Sequence, residues 1–530
     1  MKWNWMEVET EHGCFRTADT ALQQEDVSVF LQDQTLYLTA GQTPVETLRL
    51  GISRQFSPDA LFYADHWGRG MGDLAWLPAG QQRAVMPWYF LVSEEGRNYG
   101  WGVKVNPNAI CSWQYDGNTI ILTADVRNGT EGVCLNGRTL EVCTAISAES
   151  EEDTHAFAHG FCLQMAGTLP PLPTEPIYGG NDWYCCYGNN SAAIILEHAR
   201  KLAECAQGNP VRPFMVVDDG WQLCRNLSAL PGIFYGGGPW QHCNSRFGDM
   251  RQLAEQIRAL DVRPGLWFRP LLDLSYMPEE CYLPSKNGKT RALDASHPLV
   301  LQKVAEDVSV MRGWGFELFK HDYTLFDTCG VFEHGMTESV TPMPFHFYDR
   351  TKTTAEILKT LYRTIKEAAD GALVIGCNVL GHLGVGAFDL QRVGGDTSGI
   401  DWNQTVRMGV NSLAFRMMHD KAFYLSDGDC VGITKDIPWE KNRQWLELLA
   451  YSGTPLFVSI SEDGCYGPQQ RADITEAFRV AASGGNFAKP MDWMETPRPE
   501  HWLCKDGIHH FRWEPEAQVT VSEEIAAFTN

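Results

Sequence analysis

The sequence predicts a (β/α)8 TIM barrel with an antiparallel β-sandwich domain before it and a small β domain after it. Three observations lead to this prediction. Residues 1–168 contain short strand patterns separated by turn signals, residues 177–465 alternate apolar strands with amphipathic helices eight times, and a proline-rich stretch separates the two regions. A chain of 530 residues is also too long for one hydrophobic core, so two or three domains are expected.

Residues 1–168 are predicted to form the β-sandwich. Their strand candidates are rich in β-branched and aromatic residues, and several alternate apolar with polar positions, as strands with one buried face do. The segment 169–176 follows as a linker, because four prolines lie within TLPPLPTEP and proline cannot donate to a sheet. The strand candidates of the sandwich are 27–41, 86–93, 99–105, 118–129 and 138–147.

Residues 177–465 are predicted to form the barrel, and 466–530 the C-terminal β domain. No G-x-G-x-x-G motif follows the first strand, which argues against a dinucleotide-binding sheet. The barrel strand candidates are 177–185, 212–221, 263–272, 316–323, 372–380, 387–396, 422–429 and 454–460, and the clearest helices are 191–206, 250–260, 354–369 and 440–451.

Composition excludes several classes of function. A net charge of −23 argues against nucleic acid or an anionic membrane as a partner. The first twenty residues lack the apolar core of a signal peptide, and no stretch approaches the ~18 apolar residues of a membrane span, so we expect a cytoplasmic protein. The 16 cysteines include no C-x-x-C pair and are expected to be reduced thiols without a metal.

Polar side chains cluster at the carboxyl ends of the predicted barrel strands, where barrel enzymes place their chemistry. Side chains alternate along a strand, so Lys320 and Asp322 should point into the barrel mouth together while His321 points towards the helices. Four successive groups share this position: Asp218 with Asp219, Lys320 with Asp322, Cys377 with Asn378, and Arg392 with Asp396.

Paired carboxylates without an H-x-H or H-E-x-x-H metal motif suggest cleavage of a glycosidic bond. One carboxylate would attack or stabilise the sugar carbon, the other would carry a proton, and further charged groups would bind hydroxyls. Trp183, Trp221 and Trp267 could offer flat apolar faces to a sugar ring. Each motif alone also fits a cap, a satisfied ion pair or a loop, and only their coincidence at one end of the strands favours a site.

Several motifs, in this order, resemble the α-galactosidase (melibiase) clan of retaining glycoside hydrolases. The resemblance spans roughly 177–430 and is closest to the longer bacterial branch, which has an N-terminal β-sandwich. It implies a retaining α-glycoside hydrolase, above all an α-galactosidase, that needs no cofactor and acts on an oligosaccharide or another α-galactoside. The motifs are VVDDGWQ (216–222), GLWF (265–268), LDASHP (293–298), FKHD (319–322) and Arg392 followed by GGD (394–396).

The resemblance also implies roles for single residues. Asp322 is similar to the catalytic nucleophile and Asp396 to the general acid/base. Asp218 and Asp219 resemble the pair that binds the 4- and 6-hydroxyls of galactose. Further substrate-binding residues by the same resemblance, or by their place at a strand end, are Lys320, Arg392, Trp183, Trp267, Cys377 and Asn378.

Two expectations follow for the ionisation of the catalytic pair. Lys320, next to Asp322 on the same strand face, should keep the nucleophile ionised. Asp396 needs a raised pKa while substrate is bound, which partial burial and the charge of Asp322 favour and Arg392 opposes.

Some features depart from the family pattern and leave alternatives open. Arg269 stands where the family usually has a glutamate, and GCNVLGHLGVGAFD (376–389) replaces a glycine-rich cysteine motif. A transglycosylase, an α-N-acetylgalactosaminidase and a β-L-arabinopyranosidase therefore stay open, as do a metal-dependent barrel hydrolase and a non-catalytic sugar-binding protein. Relatives with a sandwich domain often form homo-oligomers, and the aromatic loop FYADHWGRG (62–70) is exposed-looking and could reach a site.

Overall fold

The computed structural model describes residues 1–223, 237–284, 291–332, 341, 344–461 and 464–516. The N-terminal part contains fourteen strands, and nearly all of the predicted sandwich segments are among them. They are β1 (Trp5–Thr10), β2 (Gly13–Thr17), β3 (Ala21–Gln24), β4 (Val27–Gln32), β5 (Thr35–Ala40), β6 (Val45–Ser53), β7 (Leu61–Ala64), β8 (Trp76–Pro78), β9 (Met86–Pro87), β10 (Tyr89–Glu94), β11 (Arg97–Val103), β12 (Ile110–Tyr115), β13 (Thr119–Asp125) and β14 (Thr139–Ser150).

These strands form two antiparallel sheets in a sandwich-like arrangement. One has six strands in the order β2-β1-β6-β13-β12-β9, and the other has eight in the order β3-β4-β5-β14-β11-β10-β7-β8. Strand β1 buries every second residue, as the alternation of WMEVET predicts. The two sheets thus bury their apolar positions in a shared hydrophobic core.

A helix that the strand patterns did not predict, α1 (Thr154–Ala166), follows β14. The Asp153 carboxylate accepts the Ala156 amide hydrogen and caps its first turn. Phe161 packs against Gly100 of β11, where an added Cβ would lie 3.0 Å from the ring. The sequence placed this segment in the sandwich, but its apolar residues recur at helical spacing.

The second region alternates strands with helices. Its elements are β15 (Tyr178–Asn181), α2 (Trp183–Cys186), α3 (Ala192–Cys205), β16 (Phe214–Val217), α4 (Met250–Ala259), β17 (Arg263–Phe268), α5 (Pro298–Gly313), β18 (Leu318–His321), α6 (Thr324–Cys329), α7 (Thr354–Ala368), β19 (Leu373–Gly376), α8 (Gly381–Gly384), β20 (Leu390–Arg392), α9 (Trp402–Thr405), α10 (Ser412–Arg416), β21 (Leu425–Asp427), β22 (Cys430–Ile433), α11 (Trp439–Ser452), β23 (Leu456–Ile460) and α12 (Pro468–Ala482).

Nine of these strands form one parallel sheet in the order β21-β20-β19-β18-β17-β16-β15-β23-β22. The structure therefore confirms a curled parallel sheet with helices between its strands. This sheet corresponds to at least half of a barrel. The strands β21 and β22 stand at opposite ends of this order although only Gly428 and Asp429 separate them in the chain. The closure of this sheet into an eight-stranded barrel stays a prediction.

Helix α12 packs against α3, α11 and β15 and thus belongs with the helices around the parallel sheet. The sequence had placed it in the C-terminal β domain, which was predicted to begin at 466. The last described strands, β24 (Ala488–Pro490), β25 (His501–Cys504) and β26 (Gly507–His510), form a three-stranded antiparallel sheet. The end of the predicted domain, 517–530, lies outside the described residues, and the domain division itself stays a prediction.

Two further features concern the described residues only. None of their helices is both long and apolar enough to cross a bilayer. Their cysteines are all free thiols, most of them at least partly buried.

The loop after β7, residues 65–70, joins the N-terminal sheets to the parallel sheet and is called the interdomain loop here. The Asp65 carboxylate accepts two hydrogen bonds from Arg416, at 2.9 and 2.6 Å, and both side chains are buried. Arg416 also donates to the Gly68 and Val393 carbonyl oxygens, both at 2.7 Å. The sequence suggested an exposed loop, but its residues are buried, with contacts to Arg416 of α10 and to the segment 393–395 that follows β20.

We expect Arg416→Met to lower the free energy of unfolding by about 3–5 kcal/mol, because it leaves the Asp65 charge buried without its partner. Denaturant unfolding followed by fluorescence measures this. The exposed Arg479, which pairs with Glu476, is a matched control, and Arg479→Met should cost at most about 1 kcal/mol. Equal losses for the two variants would contradict a structural role for the buried pair.

Candidate active site

A charged network occupies the carboxyl ends of β15, β16 and β18. Lys320 Nζ donates to Asp218 Oδ2 at 2.7 Å, and Asn181 Nδ2 donates to the same oxygen at 2.7 Å. Asp182 accepts the Asp218 backbone N–H at 2.7 Å. The structure thus brings Lys320 and Asp218 together as predicted, and it adds Asn181 and Asp182, which the sequence reasoning missed.

Asp322 lies directly after β18 and is held by two donors. Trp267 Nε1 donates to Asp322 Oδ2 at 3.1 Å, and the Tyr323 backbone N–H donates to Oδ1 at 2.7 Å. Burial raises the pKa of Asp322, while the charges of Arg69 and Lys320 oppose the rise without cancelling it. The expected effect of Lys320 is thus present, but its direct partner is Asp218.

Asp396 has the opposite surroundings. Its carboxylate is 47% exposed and accepts hydrogen bonds from Arg69 Nη1 at 2.9 Å and from Arg392 Nη2 at 3.3 Å. Burial raises the pKa of Asp396, but the charges of Arg69 and Arg392 outweigh burial and hold it below its usual range. In the ligand-free protein the pKa of the predicted acid is therefore lowered, where the sequence led us to expect a raised value in the substrate complex.

Arg392 is buried and shared between two carboxylates. Its Nη2 also donates to Asp429 Oδ2 at 2.6 Å, and this oxygen accepts further hydrogen bonds from the Thr397 backbone N–H and the Tyr184 hydroxyl. Asp429 lies in the two-residue connection between β21 and β22. The sequence reasoning missed Asp429, although it ends a predicted strand in the same way as the other site residues.

Two further aspartates have raised pKa values. Burial raises the pKa of Asp219 to about 6, a hydrogen bond from Gln222 opposes this, and the charge of Asp218 adds to it. Burial and the charge of Asp218 also raise the pKa of Asp182 to about 6. Both groups therefore titrate near neutrality, and in each case burial is the main cause.

Cys377 and Asn378 follow β19 and reach the same region. Cys377 Sγ lies 3.9 Å from both Arg69 Nη1 and Arg392 Nη1, and burial raises the pKa of the thiol. Asn378 is buried with φ of 54°, and its Oδ1 accepts no hydrogen bond from any residue that the structure describes. An unpaired buried acceptor is costly, which is often a mark of a functional position.

The tryptophans predicted to face a sugar occupy different positions. Trp183 is half-buried and packs edge-on against Tyr187, at 5.7 Å between ring centroids. Trp267 is buried and uses its N–H on Asp322. Trp221 is fully buried, and its N–H donates to the Trp267 carbonyl oxygen, so the suggestion that it offers a face to sugar is wrong.

Arg269, where the family usually has a glutamate, forms a buried bidentate ion pair with Asp327. Its guanidinium carbon also lies 4.2 Å from the centre of the Tyr323 ring. This third arginine near the pocket thus has its own counter-ion, and its charge also opposes the rise of the Asp219 pKa.

His321 points away from the pocket, as the strand alternation predicts. Its ring contacts Phe268, Tyr362 and Phe388, and burial lowers its pKa to about 3. It is a neutral core residue at physiological pH.

Arg69 is a further functional candidate that the sequence reasoning did not name. It belongs to the interdomain loop, and only the aromatic composition of the loop hinted that it could reach a site. The end of the loop pairs with the segment around Gly394 through a parallel β-bridge. In this bridge the Gly70 N–H donates to the Val393 carbonyl at 2.8 Å, and the Gly395 N–H donates to the Gly70 carbonyl at 2.7 Å.

The arrangement supplies a partly buried carboxylate, Asp322, and a half-exposed one, Asp396, at one rim of the parallel sheet, and the charges of Arg69 and Lys320 act on both. Such a pair can attack a carbon and transfer a proton at the same bond. In the described part of the chain, no three His, Cys, Asp or Glu side chains group as metal ligands would.

Comparisons with solved structures identify the fold. An α-galactosidase of Thermus thermophilus, solved with p-nitrophenyl α-D-galactopyranoside, superposes with a TM-score of 0.61 and 15% identity, covering 93% of this chain and 99% of that one. The GH36 α-galactosidases AgaA and AgaB of Geobacillus stearothermophilus each give 0.58 and 13%, covering 90% of this chain and 75% of theirs. No family model and no curated protein sequence matches. Over about nine-tenths of its length, the chain therefore has the fold of the GH36 α-galactosidases.

Proposed function

We propose that the protein is a retaining α-glycoside hydrolase, specifically an α-galactosidase that removes terminal α-galactosyl residues. One observation carries the proposal: Asp322 follows β18 and Asp396 follows β20 at the same rim of the sheet, and the charges of Asp396 and of its partner Arg69 both act on the pKa of Asp322. The motifs shared with the melibiase clan and the fold shared with solved α-galactosidases support it.

We further infer that the parallel sheet closes into a (β/α)8 barrel. Its end strands, β21 and β22, are joined by only two residues, so the two edges must lie close together in space. If β21 and β22 are counted together as one interrupted strand, the nine strands become the eight of a (β/α)8 barrel.

The proposed reaction has two displacements. Asp322 attacks the anomeric carbon while Asp396, protonated, gives its proton to the leaving oxygen, and a covalent glycosyl-enzyme forms. Water then gives a proton to Asp396, attacks the same carbon and releases the sugar with retained configuration. The hydrogen bonds from Trp267 and Tyr323 stabilise the Asp322 carboxylate and fix its direction of attack.

The remaining groups would hold the sugar. Asp218 and Asp219 would accept hydrogen bonds from its 4- and 6-hydroxyls, and Lys320 would donate to a hydroxyl as well as to Asp218. The other residues proposed to contact the sugar are Arg392, Cys377, Asn378, Trp183 and Trp267.

A panel of nitrophenyl glycosides tests the proposal. The α-galactoside should be cleaved well above the α-N-acetylgalactosaminide and the β-L-arabinopyranoside, and NMR should show the α-anomer of galactose first. Preference for another glycoside would overturn the glycone assignment, and sugar transfer to added acceptors in place of hydrolysis would show a transglycosylase. Chelator-sensitive turnover, or sugar binding without turnover, would contradict the proposed class.

Binding of free galactose should weaken as the pH falls below about 6. Asp219 must be ionised to accept two hydroxyl hydrogens, and its pKa lies at about 6. The dissociation constant should therefore rise by up to about tenfold for each pH unit below that value. Calorimetric titrations between pH 4.5 and 8 measure this.

The variant Asp219→Asn is the matched control for this pH dependence. It should bind galactose weakly at every pH, without the transition near pH 6. A transition that persists in the variant would assign it to another group, with Asp182 the first candidate because its pKa is also about 6.

A further inference from the structure

We propose that Arg69 is a positioning residue of the active site, which the N-terminal domain supplies to orient the Asp396 carboxylate and hold it ionised until substrate binds. The inference rests on the proposed function, because it concerns the ionisation of the proposed acid/base. It adds a role in the site for the N-terminal β-sandwich region.

The first support is the contact itself. Arg69 Nη1 lies 2.9 Å from Asp396 Oδ1, closer than Arg392 Nη2 at 3.3 Å. The Arg69 side chain is only 10% exposed, so solvent screens the pair weakly on that side. Arg392 also serves Asp429 at 2.6 Å, which leaves Arg69 as the nearer cation for Asp396.

The second support is the way in which the backbone of the interdomain loop is fixed. Arg416 binds Asp65 at the start of the loop and the Gly68 carbonyl in its middle, and Gly70 forms the β-bridge to Gly394 at its end. Arg416 also binds the Val393 carbonyl on the segment that leads to Asp396. One buried side chain thus ties the segment that carries Arg69 to the segment that carries its partner.

The third support is that the charge of Arg69 acts on both carboxylates, Asp322 and Asp396. Its Nη1 also lies 3.9 Å from Cys377 Sγ, and among the cations that act on Asp322 its charge has the largest effect, ahead of Lys320. The other titratable groups that face Asp396 are Arg392, Lys320, Asp322, Tyr184, Tyr187 and Tyr323.

The pair also explains how the ligand-free site relates to the proposed reaction. Asp396 must carry a proton to act as the acid, and its ion pair with Arg69 opposes protonation. A glycosidic oxygen or aglycone hydroxyl that accepts the Arg69 hydrogen would loosen the pair and allow Asp396 to take up its proton from solvent. Asp396 is 47% exposed, which leaves a path for that proton.

The test compares the pH dependence of kcat/KM for wild type, Arg69→Gln and Arg69→Lys with p-nitrophenyl α-galactoside. Loss of the cation raises the pKa of both carboxylates, Asp322 and Asp396. Both limbs of the bell-shaped pH profile of kcat/KM should therefore move to higher pH in Arg69→Gln. Arg69→Lys keeps the charge and should leave the limbs near their wild-type positions, with lower activity. An Arg69→Gln bell that only falls in height would overturn the proposal.

Two further variants separate charge from structure. Arg49 of β6, which binds Glu7 and Glu9 in the N-terminal sheets, is the matched control, and Arg49→Gln should leave the pH profile in place. Gly70→Ala keeps every charge, but its Cβ would lie 2.6 Å from Ser412 Oγ and push the loop away. Its bell should move in the same direction as that of Arg69→Gln, and an unmoved bell would contradict positioning by the loop.

A double-mutant cycle of melting temperatures at pH 7 tests the contact without any turnover. Arg69→Gln should lower the melting temperature more in the wild-type background than in the Asp396→Asn background, because only the former has the ion pair to lose. Equal losses would overturn the proposal even if the enzyme is an α-galactosidase. Conversely, a clear coupling with no cleavage of any glycoside would refute the proposed function alone.

Discussion

Asp322→Ala is expected to lower kcat/KM for p-nitrophenyl α-galactoside by about 10⁴-fold or more, because the variant lacks the nucleophile of the proposed first step. The fold should survive, since the two donors to Asp322, Trp267 Nε1 and the Tyr323 N–H, can be hydrated in the space that the carboxylate leaves. Initial rates with purified enzyme, with circular dichroism as a check of folding, measure this.

Azide should restore part of the activity of Asp322→Ala and give β-galactosyl azide. The small anion fits the space of the lost carboxylate and attacks the anomeric carbon once, from the nucleophile side, so the configuration inverts. Asp307, a buried aspartate of helix α5 that pairs with Lys303, is a matched control. Asp307→Asn should keep its rate within a few-fold, and an Asp322→Ala enzyme of wild-type activity would refute the assignment.

Asp396→Ala is expected to lose about 10²–10⁴-fold in kcat, the usual contribution of a general acid/base. The loss should be larger for raffinose-type sugars than for nitrophenyl glycosides, because nitrophenolate leaves without much help from an acid. Rates on both substrate types measure this difference. Equal losses on the two would place Asp396 outside proton transfer.

Azide should also rescue Asp396→Ala, but with the opposite stereochemistry. Here the glycosyl-enzyme on Asp322 still forms, and azide then displaces it from the other side, so the product is α-galactosyl azide. NMR of the two azides therefore distinguishes the two carboxylates. The same azide from both variants would contradict the division of roles.

The elements of the parallel sheet could be predicted because their patterns are strong. FMVV and LFKH are buried throughout, and helix α7 begins with a capping box between Thr353 and Glu356. The direction of side chains along β18 followed from strand alternation alone, and both Lys320 and His321 point as predicted.

The partners of the charges could not be predicted in the same way. Strand alternation places Lys320 on the face of Asp322, but its choice of Asp218 depends on the distance between two strands that are far apart in the sequence. The lowered pKa of Asp396 depends on Arg69, which is 327 residues earlier in the chain. No local pattern encodes such a contact.

The limits of the regions were also harder to predict than the strands. Helix α12 follows the last strand of the parallel sheet, and the prediction placed it in the C-terminal β domain together with the strand-like segment HWLCKDGIHHFRWEP. Likewise, the interdomain loop has the composition of a surface loop, and only the buried pair of Asp65 and Arg416 explains why it is not one. Burial against another domain leaves no periodic signal in the sequence.

The most direct test of the central claim is mass spectrometry of the enzyme inactivated with a fluorinated α-galactoside. The fluorine slows the second displacement more than the first, so the covalent intermediate accumulates. We predict a mass increase of one fluorogalactosyl group, located on the proteolytic peptide that contains Asp322. A label on any other residue, or steady turnover of the natural α-galactoside with inversion and no label at all, would contradict it.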